Sequence, residues 1–228
     1  VLGTIGFGFG MICMATLPFI MDFKFAVAMV SVFSLFAHIV TLYGLRDSVQ
    51  IKRFLPLVLG GFFGIPLGVN FLRLANLDAL KLTLGFVIVA YVIWSYWPGK
   101  PKTRDPHSAW GILAGLIGGA LGGAMNSSGP PAVIYLTQKP WDKDSIKATL
   151  QVFFILMGIT QLGLLAMVDI LTLEVLETNL LFAPAIFLGV WTGMQLSKRV
   201  NQAHFRTLVM TTLFILGTVF IQRGLTAF

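Results

Sequence analysis

Six long stretches of this chain carry no charged residue, and they limit what the chain can fold into. Each stretch is 16 to 21 residues long: Phe25–Leu45, Phe54–Leu72, Leu82–Gly99, Ala148–Val168, Thr178–Ser197 and Thr207–Gln222. A helix needs about 20 apolar residues to cross the hydrocarbon core of a bilayer. Because 57% of the residues are hydrophobic and only 11% are charged, the sequence predicts an all-α integral membrane protein that crosses the bilayer several times.

Two further apolar segments do not fit a single straight helix. Val1–Met21 is interrupted by glycines and by Pro18, and residues 106–138 form an uncharged stretch of 33 residues. That stretch is too long for one crossing and too short for two crossings with a turn. Unpaired backbone groups at membrane depth are tolerated only where protein buries them or where they line a watery cavity. We therefore expect two broken helices, and seven to eight membrane segments in all.

The two halves of the chain carry one residue pattern at the same spacing. Gly64, Gly68, Asn70, Arg73, Asn76 and Lys81 are spaced like Gly189, Gly193, Gln195, Lys198, Asn201 and Arg206. In the glycine-rich openings, Gly6, Gly10 and Pro18 correspond to Gly118, Gly122 and Pro130. Internal similarity of this kind indicates structural repeats. We predict a first repeat at residues 1–97, a cytoplasmic linker at 98–108 and a second repeat at 109–228.

Each repeat is expected to hold one glycine-rich broken segment and three transmembrane helices. The chain starts without Met inside an apolar stretch, so we expect a truncated N-terminus. If the broken segments re-enter the membrane without crossing it, one side holds twelve of the sixteen Lys and Arg residues: Arg46, Lys52, Arg53, Lys100, Lys102, Arg104, Lys139, Lys143, Lys147, Lys198, Arg199 and Arg206. Full crossings would divide them nine to seven. The preference of cations for the cytoplasmic side favours re-entrant segments and inverted repeats.

The second break is the most polar membrane segment, and it supplies the first candidate binding residues. These are Asn126, Ser127, Ser128 and Gly129, followed by two prolines. Free N–H groups where a half-helix starts, together with hydroxyl and amide groups, are suited to an anion. The first break is less polar, and Thr16 is its candidate. The glycines before the second break, at 111, 115, 119 and 123, have a simpler explanation, which is close helix packing.

Polar residues on the helices that follow the breaks supply the second set of candidates. Ser31, Ser34, His38 and Thr41 share one helix face in the first half, and Gln151 and Gln161 take matching places in the second. Hydrogen bonding between helices and contact with a substrate both explain such a face. His38 is the only histidine expected within the membrane. It could carry a proton, attract an anion, or simply pack.

Taken in order, the motifs resemble one family of membrane proteins. GTIGFGFGMICMATLP, LGGFFGIPLG and GLIGGALGGAMNSSGPPAVIYL together are similar to the sulfite and sulfonate exporter family, which is TauE/SafE-like and is also called the 4-toluene sulfonate uptake permease family. The resemblance covers both halves of the chain. It implies a multi-pass carrier of sulfur-containing anions in the bacterial inner membrane.

The expected function is transport of sulfite or an organosulfonate by alternating access at a midplane site, with export favoured. A passive anion channel and an uptake permease for another small anion are the alternatives. The net charge of +7 comes from cations that flank apolar spans, so nucleic acid is not an expected partner. One cysteine and one membrane histidine offer no metal site or catalytic group, and we expect no enzyme activity and no cofactor. The expected partners are a small anion and the lipid bilayer, and a homodimer is the expected assembly if the chain associates with itself.

Overall fold

The computed structural model describes residues 8–96, 106–184 and 202–226, and this part of the chain folds into helices without a β-strand. The helices are α1 (Phe9–Thr16), α2 (Phe23–Tyr43), α3 (Ile51–Leu74), α4 (Leu77–Tyr96), α5 (Ser108–Met125), α6 (Gly129–Leu136), α7 (Lys143–Met167), α8 (residues 173–184) and α9 (Gln202–Leu225). Six of them, namely α2, α3, α4, α5, α7 and α9, are long and apolar enough to cross a membrane. The predicted all-α membrane class is therefore confirmed. Most of the expected span Thr178–Ser197 lies outside the described residues.

The helices extend beyond the charge-free stretches that predicted them. α3 begins at Ile51 and α4 at Leu77, so each includes charged residues in its first turns. The reason is that long charged side chains at a helix end can reach the membrane surface while their stems stay on the helix. Asp22 and Asp142 cap the starts of α2 and α7, where their carboxylates accept hydrogen bonds from backbone N–H groups. A charge-free stretch thus marks the middle of a helix and not its ends.

α5 and α6 form a hairpin whose tip lies at Asn126. This residue has a left-handed backbone with φ of 54°, a conformation that Asn adopts more readily than most residues. A Cβ atom on Gly111, near the start of α5, would lie 2.7 Å from the hydroxyl of Tyr135, near the end of α6. One on Gly118 would lie 3.8 Å from Pro131. α6 therefore runs back beside α5.

α1 begins next to this tip and runs toward the other end of the molecule. A Cβ atom on Gly10 would lie 2.6 Å from the Asn126 carbonyl oxygen. The ring of Phe19, just after α1, is 4.8 Å from that of Phe220 near the end of α9. The end of α6, in contrast, lies beside the start of α5. The two short helices thus start close together and point in opposite directions.

The expected correspondence between the two glycine-rich openings is wrong, because the paired residues occupy different positions in their helices. Pro130 lies in the first turn of α6, whereas Pro18 lies in a 3-10 turn after α1. Gly10 is inside α1, but Gly122 belongs to α5 and precedes the break. Proline is accepted at a helix start and also just past a helix end, because its missing N–H has no intrahelical partner in either place. The spacing of glycines and prolines in the sequence therefore did not show whether a proline starts a helix or follows one.

The long helices among the described residues pack as three pairs. α3 and α5 pack in parallel through their glycines: a Cβ atom on Gly64 would overlap the Leu116 carbonyl, and one on Gly115 would overlap the Leu57 carbonyl. α2 and α7 are antiparallel, since His38 meets Gln151 and Leu35 meets Gly158. α4 and α9 are also antiparallel, with Gly85 facing Gly217 and Leu82 facing Gly224.

The α3–α5 contact gives a first testable prediction. Gly115→Ala should destabilise the protein by about 1–3 kcal/mol, because the added methyl group must push the two backbones apart. Gly163→Ala on α7 is the matched control, since nothing lies within 4 Å of its new Cβ atom. Thermal unfolding of the purified protein in detergent should show a lower Tm for Gly115→Ala only. Equal Tm values for the two variants would contradict the close packing described here.

Candidate functional site

A cavity lies where α1 and α6 begin, near the middle of the long helices α2, α3 and α7. Its lining residues are Gly8, Gly10, Met11, Ser31, Ser34, Leu35, His38, Ile65, Asn126, Ser127, Ser128, Gly129, Pro130, Phe154, Met157, Gly158 and Gln161. The cavity measures about 50 Å³. A cavity needs roughly 10–15 Å³ on this measure to hold one water molecule, so this cavity has room for a small solute.

The start of α6 offers several hydrogen-bond donors to this cavity. The backbone N–H groups of Ser128 and Gly129 find no acceptor among the described residues. The Ser128 hydroxyl caps no helix and has no hydrogen-bond partner among them either. Pro130 and Pro131 carry no N–H group, so the free donors are confined to the two residues before them. The N-terminal end of a helix also carries a partial positive charge.

The start of α1 faces the same cavity with a second set of donors. Gly8 precedes the helix with φ of 106°, a left-handed conformation that glycine accepts without strain. The first intrahelical bond of α1 runs from Ile12 N–H to the Gly8 carbonyl. The N–H groups of Gly10 and Met11, two of the lining residues, therefore have no acceptor in the described protein. Two helix starts thus direct unpaired donors at one small space.

Asn126 holds the hairpin tip against α2. Its side-chain oxygen accepts a hydrogen bond from the Ser31 hydroxyl at 3.0 Å, and its amide donates to the Val27 carbonyl at 2.9 Å. The Ser127 hydroxyl is also engaged, since it donates to the Met125 carbonyl at 3.2 Å. Asn126, Ser31 and Ser127 line the cavity, but much of their hydrogen-bonding capacity is used to fix its shape.

The polar face of α2 contributes two further groups. The Ser34 hydroxyl is buried and has no hydrogen-bond partner among the residues that the structure describes, which is uncommon for a buried polar atom. His38 lies 2.6 Å from the side-chain oxygen of the buried Gln151, measured from Nδ1. An amide oxygen can only accept, so Nδ1 carries the hydrogen, and Nε2 is left without a partner in the described protein.

α7 and α3 close the other sides of the cavity. Gln161 donates from its amide to the Gly122 carbonyl at 2.9 Å, which ties α7 to the hairpin. Ile65, Phe154 and Met157 add an apolar wall. No lining residue carries a formal charge at neutral pH when His38 is neutral, and the described residues contain no cluster of metal-binding side chains.

Eight of the eleven residues proposed from the sequence line this cavity, and three do not. Thr16 lies at the far end of α1, is exposed, and donates its hydroxyl to carbonyl groups of its own helix. Thr41 likewise donates its hydroxyl to a carbonyl of its own helix. Gln151 is not a lining residue and contacts His38, which is one. The sequence did not point to Gly8, Gly10 and Met11. Gly10 and Met11 contribute backbone N–H groups, and the one signal available was a glycine, Gly8, just before an apolar half-helix.

Comparison with known proteins adds one finding. The family model described as "Sulfite exporter TauE/SafE" matches residues 1–220 of the chain. No curated protein and no solved structure matches the chain.

Proposed function

Because the chain belongs to the sulfite exporter TauE/SafE family, we propose that it transports small sulfur-containing anions across a membrane through the cavity between α1 and α6. The observation that carries this proposal is the convergence of unpaired donors from two helix starts on one space. A sulfite or sulfonate group presents several acceptor oxygens to such donors. We propose that the anion contacts Ser128, Gly129 and the first turn of α1. The side chains of Ser34 and His38 on α2 are further proposed contacts.

The absence of a cation from the described lining residues fits a transport site. A lysine or arginine at the bilayer centre costs about 2.5–3.5 kcal/mol to insert even on the lowest scales, and it would also hold an anion tightly. Backbone N–H groups and hydroxyls bind an anion without a formal charge, as the half-helix starts of other transporters do. The anion can then leave on either side. Cations remain at the ends of the helices, where they can concentrate anions near the entrance.

We propose sulfite as the substrate and export as its direction, following the description of the family that matches the chain. The cavity of about 50 Å³ is several times the space that one water molecule needs, so it can hold a small anion.

Alternating access is the proposed mechanism, and the helix directions support it. α2 and α7 are antiparallel, as are α4 and α9, and this is what inverted repeats over residues 1–97 and 109–228 require. A re-entrant α5–α6 hairpin returns Lys139 to the side where α3 and α5 begin. That side is then the cytoplasmic face of a bacterial inner membrane under the preference of cations for the cytoplasm.

Counterflow in proteoliposomes tests the proposal. Vesicles preloaded with unlabelled sulfite should take up labelled sulfite transiently above the external concentration, because a carrier exchanges its substrate across the membrane. Unloaded vesicles and preloading with acetate are the controls. A passive channel would equilibrate the label without this overshoot, and no sulfite flux under any gradient would reject the proposed function.

A further inference from the structure

His38 is the one ionisable side chain among the residues that line the cavity in the described part of the chain. The lining includes no Asp, Glu, Lys, Arg, Cys or Tyr among the described residues. The anion is therefore surrounded by neutral groups, apart from this imidazole. If the site takes up any proton with the anion, His38 is where it binds.

The surroundings of His38 determine which of its nitrogens is available. Nδ1 donates to the side-chain oxygen of Gln151 at 2.6 Å, and the ring lies against Phe154 with a centroid distance of 4.8 Å. Gln151 is fully buried, so this contact holds the ring in one orientation. Nε2 has no partner in the described protein and carries the free lone pair.

Charge balance explains why a proton and an anion would bind together. An anion in this cavity without a cation is a buried charge, and so is an imidazolium ring without an anion. When both are present the cavity is neutral, and the two charges attract each other in surroundings of low dielectric constant. Each ligand therefore strengthens the binding of the other, which is reciprocal linkage between two sites.

We propose that His38 binds one proton together with each monovalent anion, so that the loaded cavity is neutral and anion and proton cross the membrane in one step. This inference rests on the proposed function of the cavity. The proton comes from water to the Nε2 lone pair and returns to water when the anion leaves. No bond of the anion is broken. Net transport then follows the combined gradients of the anion and the proton and is insensitive to the membrane potential. Export requires an outward anion gradient larger than any inward proton gradient.

The titratable groups on the helices packed around His38 lie outside the cavity. They are Asp22, Lys24, Tyr43, Arg46 and Asp47 at the ends of α2, Cys13 on α1, Arg73 at the end of α3, Tyr135 and Lys139 at the end of α6, and Lys143, Asp144 and Lys147 in the first turns of α7.

Calorimetric titration of the purified chain with methanesulfonate measures this coupling. Methanesulfonate does not titrate between about pH 5 and 8, so any proton taken up on binding goes to the protein. Titrations in two buffers with different ionisation heats give the number of protons per anion. Sulfite serves as a second ligand. Because sulfite itself gains and loses protons in solution, the proton uptake measured with His38→Gln is subtracted from that measured with the wild type. His107→Gln is the matched control, since His107 is an exposed helix cap outside the cavity.

The expected result is a proton uptake that rises toward one per anion as the pH increases. The affinity should then fall by up to tenfold per pH unit once the empty protein has lost its His38 proton, because the anion favours the protonated form. His38→Gln should bind with an affinity independent of pH, and His107→Gln should behave like the wild type. Binding of methanesulfonate by the wild type without proton uptake at any pH would overturn the inference and leave the proposed function intact. Lack of binding of both anions at every pH would instead reject the function.

Discussion

Gly10→Ala should weaken anion binding by about a hundredfold. The new Cβ atom would lie 2.6 Å from the Asn126 carbonyl oxygen, so α1 must move away from the hairpin tip. That movement separates the free N–H groups of α1 from those of Ser128 and Gly129. Shifts of about 1 Å in positioned groups can cost on the order of a hundredfold in function. Equilibrium binding of sulfite to the purified protein measures the loss directly.

Gly158→Ala is the control for this substitution, because Gly158 also lines the cavity. Its added Cβ atom would lie 3.6 Å from Leu35, an ordinary van der Waals contact, so the affinity should change by less than about threefold. Both variants should be compared at equal thermal stability, so that loss of fold is not counted as loss of binding. Wild-type affinity in a stable Gly10→Ala protein would show that the spacing between the two helix starts does not matter for binding.

Ser128→Ala should weaken sulfite binding by about ten- to a hundredfold. The Ser128 hydroxyl has no partner in the described protein, so an anion can take its hydrogen bond, and hydrogen bonds to charged groups contribute about 1.5–3 kcal/mol. Loss of the hydroxyl leaves that anion oxygen without a donor. Affinity measured over a range of sulfite concentrations gives the effect.

Ser127→Ala is the matched control on the neighbouring residue. The Ser127 hydroxyl already donates to the Met125 carbonyl, so its loss should affect the shape of the hairpin tip more than the anion. We expect a change in affinity several times smaller than for Ser128→Ala. If the two variants lose affinity equally, the hydroxyl of Ser128 has no special contact with the anion, and the assignment of donors at the start of α6 must be revised.

The membrane helices were predictable because the positions of charged residues in a sequence show which segments can lie in lipid. A charged residue inside the hydrocarbon core is costly, so charge-free stretches locate the middle of α2, α3, α4, α7 and α9. The break at Asn126 was predictable for a related reason, since polar residues and prolines interrupt an apolar helix there. The exact helix ends were not, because residues such as Lys81 can sit in a helix and still reach the membrane surface.

The candidate site was predictable only where side chains carry it. Asn126, Ser34 and Gln161 could be proposed because a polar side chain in a membrane segment needs a partner or a ligand. The backbone N–H groups of Gly10 and Met11 could not be proposed in this way, since every residue but proline has such a group. Apolar lining residues such as Phe154 and Met157 were equally hidden, because an apolar side chain on a membrane helix fits lipid, a packed neighbour or a cavity wall.

The position of a bound anion is the most direct test of the account. Selenite is close to sulfite in shape and charge, and its selenium atom can be located by anomalous scattering in crystals of the full chain soaked with it. We predict one strong selenium peak between the starts of α1 and α6, within hydrogen-bonding distance of the N–H groups of Ser128 and Gly129. A transport-competent protein whose selenite occupies a different place, with this cavity empty or filled by side chains, would contradict the central claim.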